Sequence, residues 1–300
     1  MKTIALIGLG AMGRHHYRIL KQLNARINLC ALCDTEQTED YDEPFYTDLD
    51  KLLENVKPDA ALIATPTFSH KDIVLKCVER NVAVFIEKPA ASTVEEAGLI
   101  LDAVRSRELK SCVGHVERFN PVVQALKNEL RDKEIYSISF TRVGPFPPRI
   151  ADVGVLTDLS VHDIDLIRFI TGRKIINKSI FTSRKIHNHH EDNAVLSFEL
   201  EDTTLAEITT NWLTPFKKRT IAVACKDSYY EADLITQNLT EYSGFIGSHS
   251  YNVRVCHIKK DEPLLKEVEA FLDYLDGIGE RGSLASIEDS IITLEIVNSR

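Results

Sequence analysis

The chain has 300 residues, 44% of them hydrophobic and 27% charged, with a formal net charge of −9 at pH 7. That acidic balance argues against nucleic acid as a partner, because a phosphate backbone demands clustered basic residues. No apolar run approaches the roughly 20 residues of a membrane span, and the length allows two domains around sizeable cores.

The apolar start, residues 1–7, is interrupted by Gly8, Gly10, Gly13 and Arg14, and no small-residue cleavage site follows. A cytoplasmic enzyme is therefore the expected class. Residues 3–7 read as a strand that runs into Gly8-Leu9-Gly10-Ala11-Met12-Gly13 and then a helix over 14–23. This is G-x-G-x-x-G between strand and helix, the context in which it binds a dinucleotide. Gly8 permits the turn, Gly10 lets a pyrophosphate approach the backbone, and Gly13 allows close helix packing. The helix start then offers free N–H groups and a positive dipole end to the phosphates.

The second strand ends at Cys33-Asp34, and Asp34 stands 21 residues after Gly13. An acidic residue there accepts hydrogen bonds from the adenosine ribose and repels a 2′-phosphate, which favours NAD over NADP. Cys30-x-x-Cys33 resembles half a metal site, but residues three apart in a strand point to opposite faces. With no second pair at zinc spacing, the six cysteines are read as reduced thiols and no metal is expected.

A strand over 59–65 leads into Pro66 and a helix over 69–80. Thr65, Pro66 and His70 are placed to line the cofactor site, with a surface position at the helix start as the alternative for His70. The apolar run 82–86 is a further buried strand, and it delivers Glu87-Lys88-Pro89 to the sheet edge where open α/β sheets bind ligands. A desolvated ammonium at Lys88 could polarise a hydroxyl or carbonyl, or share a proton with a neighbour. Ser92-Thr93-Val94-Glu95 then reads as a capping box opening a helix to about 107, followed by a strand over 110–114. This βαβ alternation predicts a doubly wound parallel sheet, a Rossmann domain over 1–118.

From His115-Val116-Glu117-Arg118-Phe119-Asn120-Pro121 onward the pattern changes. Pro121 opens a helix to about 130. Strand-like runs follow at 135–143, 175–183, 194–200, 205–212, 219–224 and 251–257, and their alternation predicts a large, mostly antiparallel open sheet in an α/β domain over 119–300. Such a sheet suits subunit contact, so a homodimer or homotetramer is expected. Helices are predicted at 267–275 and 286–297, with the last, about 286–300, folding back on the first domain. One helix, 157–171, interrupts the strands and is stopped by Gly172; within it Asp158 and His162 share a face. A histidine with a carboxylate one turn away can act as a general base. Gly144, Pro145, Pro147 and Pro148 read as a loop over the same region.

Together these motifs resemble the Gfo/Idh/MocA oxidoreductases (glucose-fructose oxidoreductase, inositol dehydrogenase and MocA-like proteins). The resemblance rests on the glycine loop, Ala64-Thr65-Pro66 with His70, Glu87-Lys88-Pro89, and Asp158-x-x-x-His162-x-x-Asp165. It implies an active site between a Rossmann domain and an open-sheet domain, with Lys88, Asp158 and His162 as the catalytic set. Ser160 departs from the glycine that many members carry before the histidine. Cofactor contacts are expected from Gly8, Gly10, Ala11, Met12, Gly13, Asp34, Thr65, Pro66, His70, Glu87 and Lys88.

The stretch 113–121 is similar to a narrower subgroup, the UDP-N-acetylglucosamine 3-dehydrogenases. That likeness implies a sugar or nucleotide-sugar substrate contacted by His115, Arg118, Asn120 and Arg149. Arg118, Arg142, Arg149, Lys217, Lys218 and Arg219 are the candidates for a diphosphate. Hydride transfer between a sugar carbinol and NAD is the reaction expected. The rivals are an NAD-using glycosidase, an inositol or free-sugar dehydrogenase, and a non-enzymatic nucleotide or sugar sensor.

Overall fold

Short apolar strands buried on both faces build the first sheet of the computed structural model, which describes residues 1–147, 153–247 and 250–299. The chain divides into two units, Met1–Val116 with Leu264–Glu295, and Glu117–Pro263 with Ile296–Arg300. In the first, β1 (Lys2–Ile7) leads through α1 (Ala11–Gln22) to β2 (Ile27–Cys33), β3 (Phe45–Tyr46), α2 (Leu49–Val56), β4 (Ala60–Ile63), α3 (His70–Glu79), β5 (Ala83–Glu87), α4 (Val94–Ser106) and β6 (Ser111–Gly114). The six strands are parallel in the order β3-β2-β1-β4-β5-β6. Every residue of β4 and β5 is buried, which is why these strands read as continuous apolar runs. The order reverses between β1 and β4, and in such sheets the crevice outside the carboxyl ends at that point receives the ligand.

One local reading is corrected. Thr93 caps α4, not Ser92: its hydroxyl accepts the Glu96 N–H at 3.2 Å, while the Glu96 carboxylate accepts the Ser92 N–H at 3.3 Å. The capping box thus starts one residue later. Helix α2 was not legible, because eight residues give only two turns in which to display a period. Its cap is nevertheless explicit in Asp48, whose carboxylate accepts the N–H groups of Asp50 and Lys51 at 2.9 and 3.3 Å.

In the second unit α5 (Pro121–Glu129) precedes β7 (Ile135–Pro145), a π-helical turn (Leu156–Ser160), α6 (Val161–Thr171), β8 (Ile175–Ser183), β9 (Asn193–Leu200), β10 (Leu205–Asn211), β11 (Leu213–Cys225), β12 (Ser228–Asp233), β13 (Asn238–Ser243) and β14 (Asn252–Cys256). These eight strands lie in the order β14-β13-β12-β11-β7-β10-β9-β8, antiparallel except where β10 meets β7. Alternate residues of β7, β9 and β10 are buried, as expected of a sheet covered on one face. Helix α5 lies against β12 and β13, and α6 against β10. Gly144 and Pro145 belong to β7, not to a loop. The strands β12 and β13 were missed: each is six residues long and carries charged or polar residues at several positions.

The chain ends with α7 (Pro263–Asp276) and α8 (Ile287–Asn298). Residues 264–295 group with the parallel sheet: Phe271 meets Phe85 edge-on at 5.5 Å, and Ala285 bridges to Val113 of β6. All six cysteines are unbridged, and burial pushes the Cys30 and Cys33 thiols up to about 11. Among the described residues no cluster of three His, Cys, Asp or Glu side chains could hold a metal ion. No helix among them is long and apolar enough to cross a membrane.

Candidate functional site

The turn after β1 is shaped by what a side chain would strike. Gly8 has φ +92°, and a Cβ there would lie 2.7 Å from the backbone of Ala64 and Thr65. A Cβ on Gly13 would lie 2.0 Å from the Gly8 carbonyl oxygen, whereas one on Gly10 would meet open space. Gly10 starts α1 without any side-chain cap, so the first N–H groups, at Ala11, Met12 and Gly13, point outward without an intrahelical acceptor. Gly10, Ala11 and Met12 are exposed. One strand over, the half-buried Asp34 accepts the Leu9 N–H at 2.6 Å through Oδ2 and the Thr35 N–H at 2.6 Å through Oδ1. An uncapped helix start, a loop open at Gly10 and a carboxylate on the neighbouring strand fit a dinucleotide: the helix end would take the pyrophosphate and Asp34 a ribose hydroxyl.

Thr65 and Pro66 follow β4, and the Ser69 hydroxyl donates to Thr65 Oγ1 at 2.9 Å. His70 is neither a surface residue nor open to a ligand. It is 1% exposed, with Nδ1 3.0 Å from the Pro89 carbonyl and Nε2 2.9 Å from the Thr65 carbonyl. Lys88 is half-buried at the end of β5, and the Lys88–Pro89 peptide is cis. The Glu87 carboxylate is turned inward, 2.6 Å from His16 Nε2.

Burial holds the His70 imidazole below its ordinary value of 6.5, although both carbonyls and the Glu87 charge favour the protonated ring. The unfolded chain therefore binds a proton that the folded chain resists, and stability falls as pH drops below 6.5. His70→Gln should flatten the acid side of a melting-temperature profile; a profile with the same slope as wild type would contradict this.

In the second unit the predicted helix 157–171 begins instead as a π-turn. The Val161 N–H reaches the Leu156 carbonyl, an i→i+5 bond, and regular α-helix starts only at Val161. Asp158 lies on the π-turn and His162 on the α-helix, both half-buried. Glu191 holds the start of the turn: its carbonyl accepts the Val155 N–H at 3.0 Å and its carboxylate the Leu156 N–H at 3.4 Å. Gly154 makes this possible, since a Cβ there would lie 2.2 Å from Glu191 Oε1. π-Turns recur at functional sites, but no sequence periodicity announces one.

The cationic candidates differ in burial and partners, and Arg219 stands 3.3 Å from the buried Glu117 carboxylate. Arg118 is 5% exposed, and its guanidinium grips Asp165 through two bonds of 2.7 and 2.5 Å. Arg142 is 3% exposed and reaches Asp163 at 2.8 Å and Glu117 at 2.9 Å. Burial raises the Asp163 carboxyl in spite of Arg142, while for Glu117 the neighbouring Arg142 and Arg219 outweigh burial and lower it. Asn120 caps α5 by accepting the Val122 N–H at 3.3 Å and donates to the Leu234 carbonyl at 3.0 Å. His115 is 2% exposed. The polar groups of Arg118, Arg142 and Asn120 are thus engaged inside the fold, contrary to the expectation that Arg118 and Asn120 meet substrate, although Arg142 also lines the cavity beside Asp158. Arg149 and Pro148 lie outside the described residues.

Alternation along β11 sorts the rest. Lys217 and Arg219 line a cavity of about 110 Å³ with Asp158, Gly144, Pro147 and Trp212, whereas Lys218 lines a groove with Ser139, Thr141 and Tyr229. Glu117, Asp163, Glu191 and Trp212 escaped sequence reasoning, because their importance arises from partners far away in the chain.

Residues 2–115 match the GFO/IDH/MocA oxidoreductase family, NAD-binding Rossmann fold, and residues 134–231 match the GFO/IDH/MocA C-terminal domain. A UDP-N-acetylglucosamine 3-dehydrogenase from Acidithiobacillus ferrooxidans is 27% identical over 95% of each chain. An inositol 2-dehydrogenase from Arthrobacter sp. is 30% identical over 68% of this chain and 65% of its own length. A solved structure of the UDP-N-acetylglucosamine 3-dehydrogenase from Acidithiobacillus ferrooxidans superposes with a TM-score of 0.88 at 23% identity, covering 99% of this chain and 95% of that one. At that identity the structural likeness is one of fold.

Proposed function

The chain belongs to the GFO/IDH/MocA family of NAD-binding oxidoreductases, and from that membership we propose that it oxidises the 3-hydroxyl of UDP-N-acetylglucosamine or a similar nucleotide sugar. The observation that carries the substrate class is the cavity at Asp158, where one face of β11 presents Lys217 and Arg219. A diphosphate is recognised by such cations. The reading is supported by similarity to a UDP-N-acetylglucosamine 3-dehydrogenase along 95% of both chains. Asp34 favours NAD over NADP, because its carboxylate would repel a 2′-phosphate.

Bound NAD supplies the hydride acceptor. His162 takes the hydroxyl proton, Lys88 stabilises the alkoxide as charge develops and relays the proton, and Asp158 orients the set and balances its charge. We take the face of the eight-stranded sheet that carries Ser139, Thr141, Lys218 and Tyr229 as the surface for a homodimer or homotetramer.

The test is a substrate screen with NAD, following NADH absorbance. Net NADH from UDP-N-acetylglucosamine, and little from inositols or free hexoses, is the expected result. Turnover of inositol without turnover of the nucleotide sugar would overturn the substrate assignment. Sugar release without net NADH would mark a glycosidase, and binding without either product a sensor.

A further inference from the structure

Two buried histidines flank Glu87-Lys88-Pro89, and the chemistry above uses neither. His16 comes from α1, the helix that starts at the glycine loop, and is fully buried. Its Nε2 stands 2.6 Å from Glu87 Oε1. A carboxylate only accepts, so Nε2 carries the proton of this bond. Oε2, the other carboxylate oxygen, accepts the Lys88 N–H at 3.1 Å. Gly114 on β6 leaves room for that arrangement, since a Cβ there would crowd Phe85 at 3.0 Å and Glu87 Oε1 at 3.1 Å. The Phe85 ring meets His16 edge-on at 5.3 Å. Burial by itself would raise the Glu87 carboxyl, but His16 and Lys88 hold it below its ordinary range, so it persists as an acceptor.

From the other side, His70 Nδ1 stands 3.0 Å from the Pro89 carbonyl, and the next N–H, of Ala90, donates to the Ser290 hydroxyl at 3.1 Å. The Lys88 N–H, Pro89 carbonyl and Ala90 N–H belong to three consecutive residues, and each meets a buried side chain. The Lys88 ammonium is carried on a four-carbon stem, and this backbone segment fixes where that stem starts and in which direction it leaves.

We propose that His16, acting through Glu87, and His70, acting on the Pro89 carbonyl, are positioning residues that set where Lys88 presents its ammonium. This rests on the reading of Lys88 as catalytic. The two loops that bound the cofactor cradle are thereby tied to the lysine: His16 belongs to the helix of the glycine loop, and His70 also reaches the Thr65 carbonyl at 2.9 Å.

The experiment compares His16→Leu, His16→Gln, Glu87→Gln, His70→Asn and His70→Gln in the full-length chain, with Lys88→Ala as reference. His16→Leu should lower kcat by about 10- to 100-fold, the effect of a misplaced catalytic group, with KM for NAD nearly unchanged. His16→Gln keeps a donor at the Nε2 position and should recover most of the loss. His70→Asn, which keeps a donor toward Pro89, should stay more active than His70→Gln, whose donor faces Thr65. Without cofactor, the Lys88 and Ala90 amides should exchange faster in His16→Leu than in wild type. If that variant does not fold, Glu87→Gln carries the test, with the same kcat loss expected. Equal kcat across these variants, while Lys88→Ala is inactive, overturns the positioning role alone. An active Lys88→Ala overturns the reading beneath it.

Discussion

Lys88→Ala should lower kcat by about 10³-fold, the loss expected when one donor to a developing oxyanion is removed. NAD affinity should hardly change. The phosphate and ribose contacts proposed for NAD come from backbone around Gly8, Gly10 and Gly13, the first turn of α1, and Asp34, none of which depends on the lysine side chain. Single-turnover kinetics with a titration of NAD separates the two effects. Lys88→Arg sharpens the result: it retains positive charge but cannot give up a proton in the working pH range. Substantial activity in the arginine variant would mean that charge stabilisation alone suffices and the proton relay is unnecessary. Near-normal kcat in the alanine variant would sink the mechanism.

Arg142→Met should have the largest effect on stability. Arg142 stands between Asp163, 1% exposed, and Glu117, 7% exposed. Its removal leaves two buried carboxylates short of their principal counter-charge, and breaking a buried pair from one side costs about 3–5 kcal/mol. Both carboxyls would then shift upward, and the variant should be less unstable at acid pH than at neutral pH. The sign follows because protonating the orphaned acids removes the buried charge. Adding Asp163→Asn should restore part of the loss, since the neutral amide needs no counter-charge. Denaturant unfolding of the single and double variants measures both effects, and a stability loss confined to a few tenths of a kcal/mol would show the network to be dispensable. His162 precedes Asp163 and Asp165, so the same variant should also reduce turnover by disturbing the helix that carries the proposed base.

Much of the first unit was legible because its signals are local. The glycine spacing in Gly8–Gly13 dictates a turn that only glycine permits, and the run 82–86 had to be buried on both faces. Lys88 at the end of that run therefore had to reach the ligand edge of a parallel sheet. In the second unit the alternation along β7, β9 and β10 revealed a one-sided sheet. It could not reveal that β10 pairs in parallel with β7, because strand pairing is a long-range choice. The helix start at residue 156 was misread for a similar reason. An α-helix and a π-turn differ by one residue in hydrogen-bond spacing, and the Glu191 carboxylate bonded at the start of this turn comes from a distant part of the chain.

Side-chain assignments show the same division. From sequence Arg118, Arg142, Arg149, Lys217, Lys218 and Arg219 were all candidates for a diphosphate, with Arg118 and Arg149 also expected to meet substrate. In the fold, Asp165 engages Arg118, Asp163 and Glu117 engage Arg142, and the two faces of β11 separate Lys217 and Arg219 from Lys218. His70 and Glu87 were expected at the cofactor; in the fold both are buried, His70 beside the Pro89 carbonyl and Glu87 beside His16.

By itself the sequence determined the family, the parallel nucleotide fold and the position of Lys88, because glycine geometry, strand burial and helix starts act over a few neighbouring residues. Only the tertiary structure decided which charges are buried partners, which face the cavity at Asp158, and which buried histidines hold the lysine segment. Those outcomes depend on desolvation and on partners dozens of residues away, and a buried charge is defined by its partner as much as by itself.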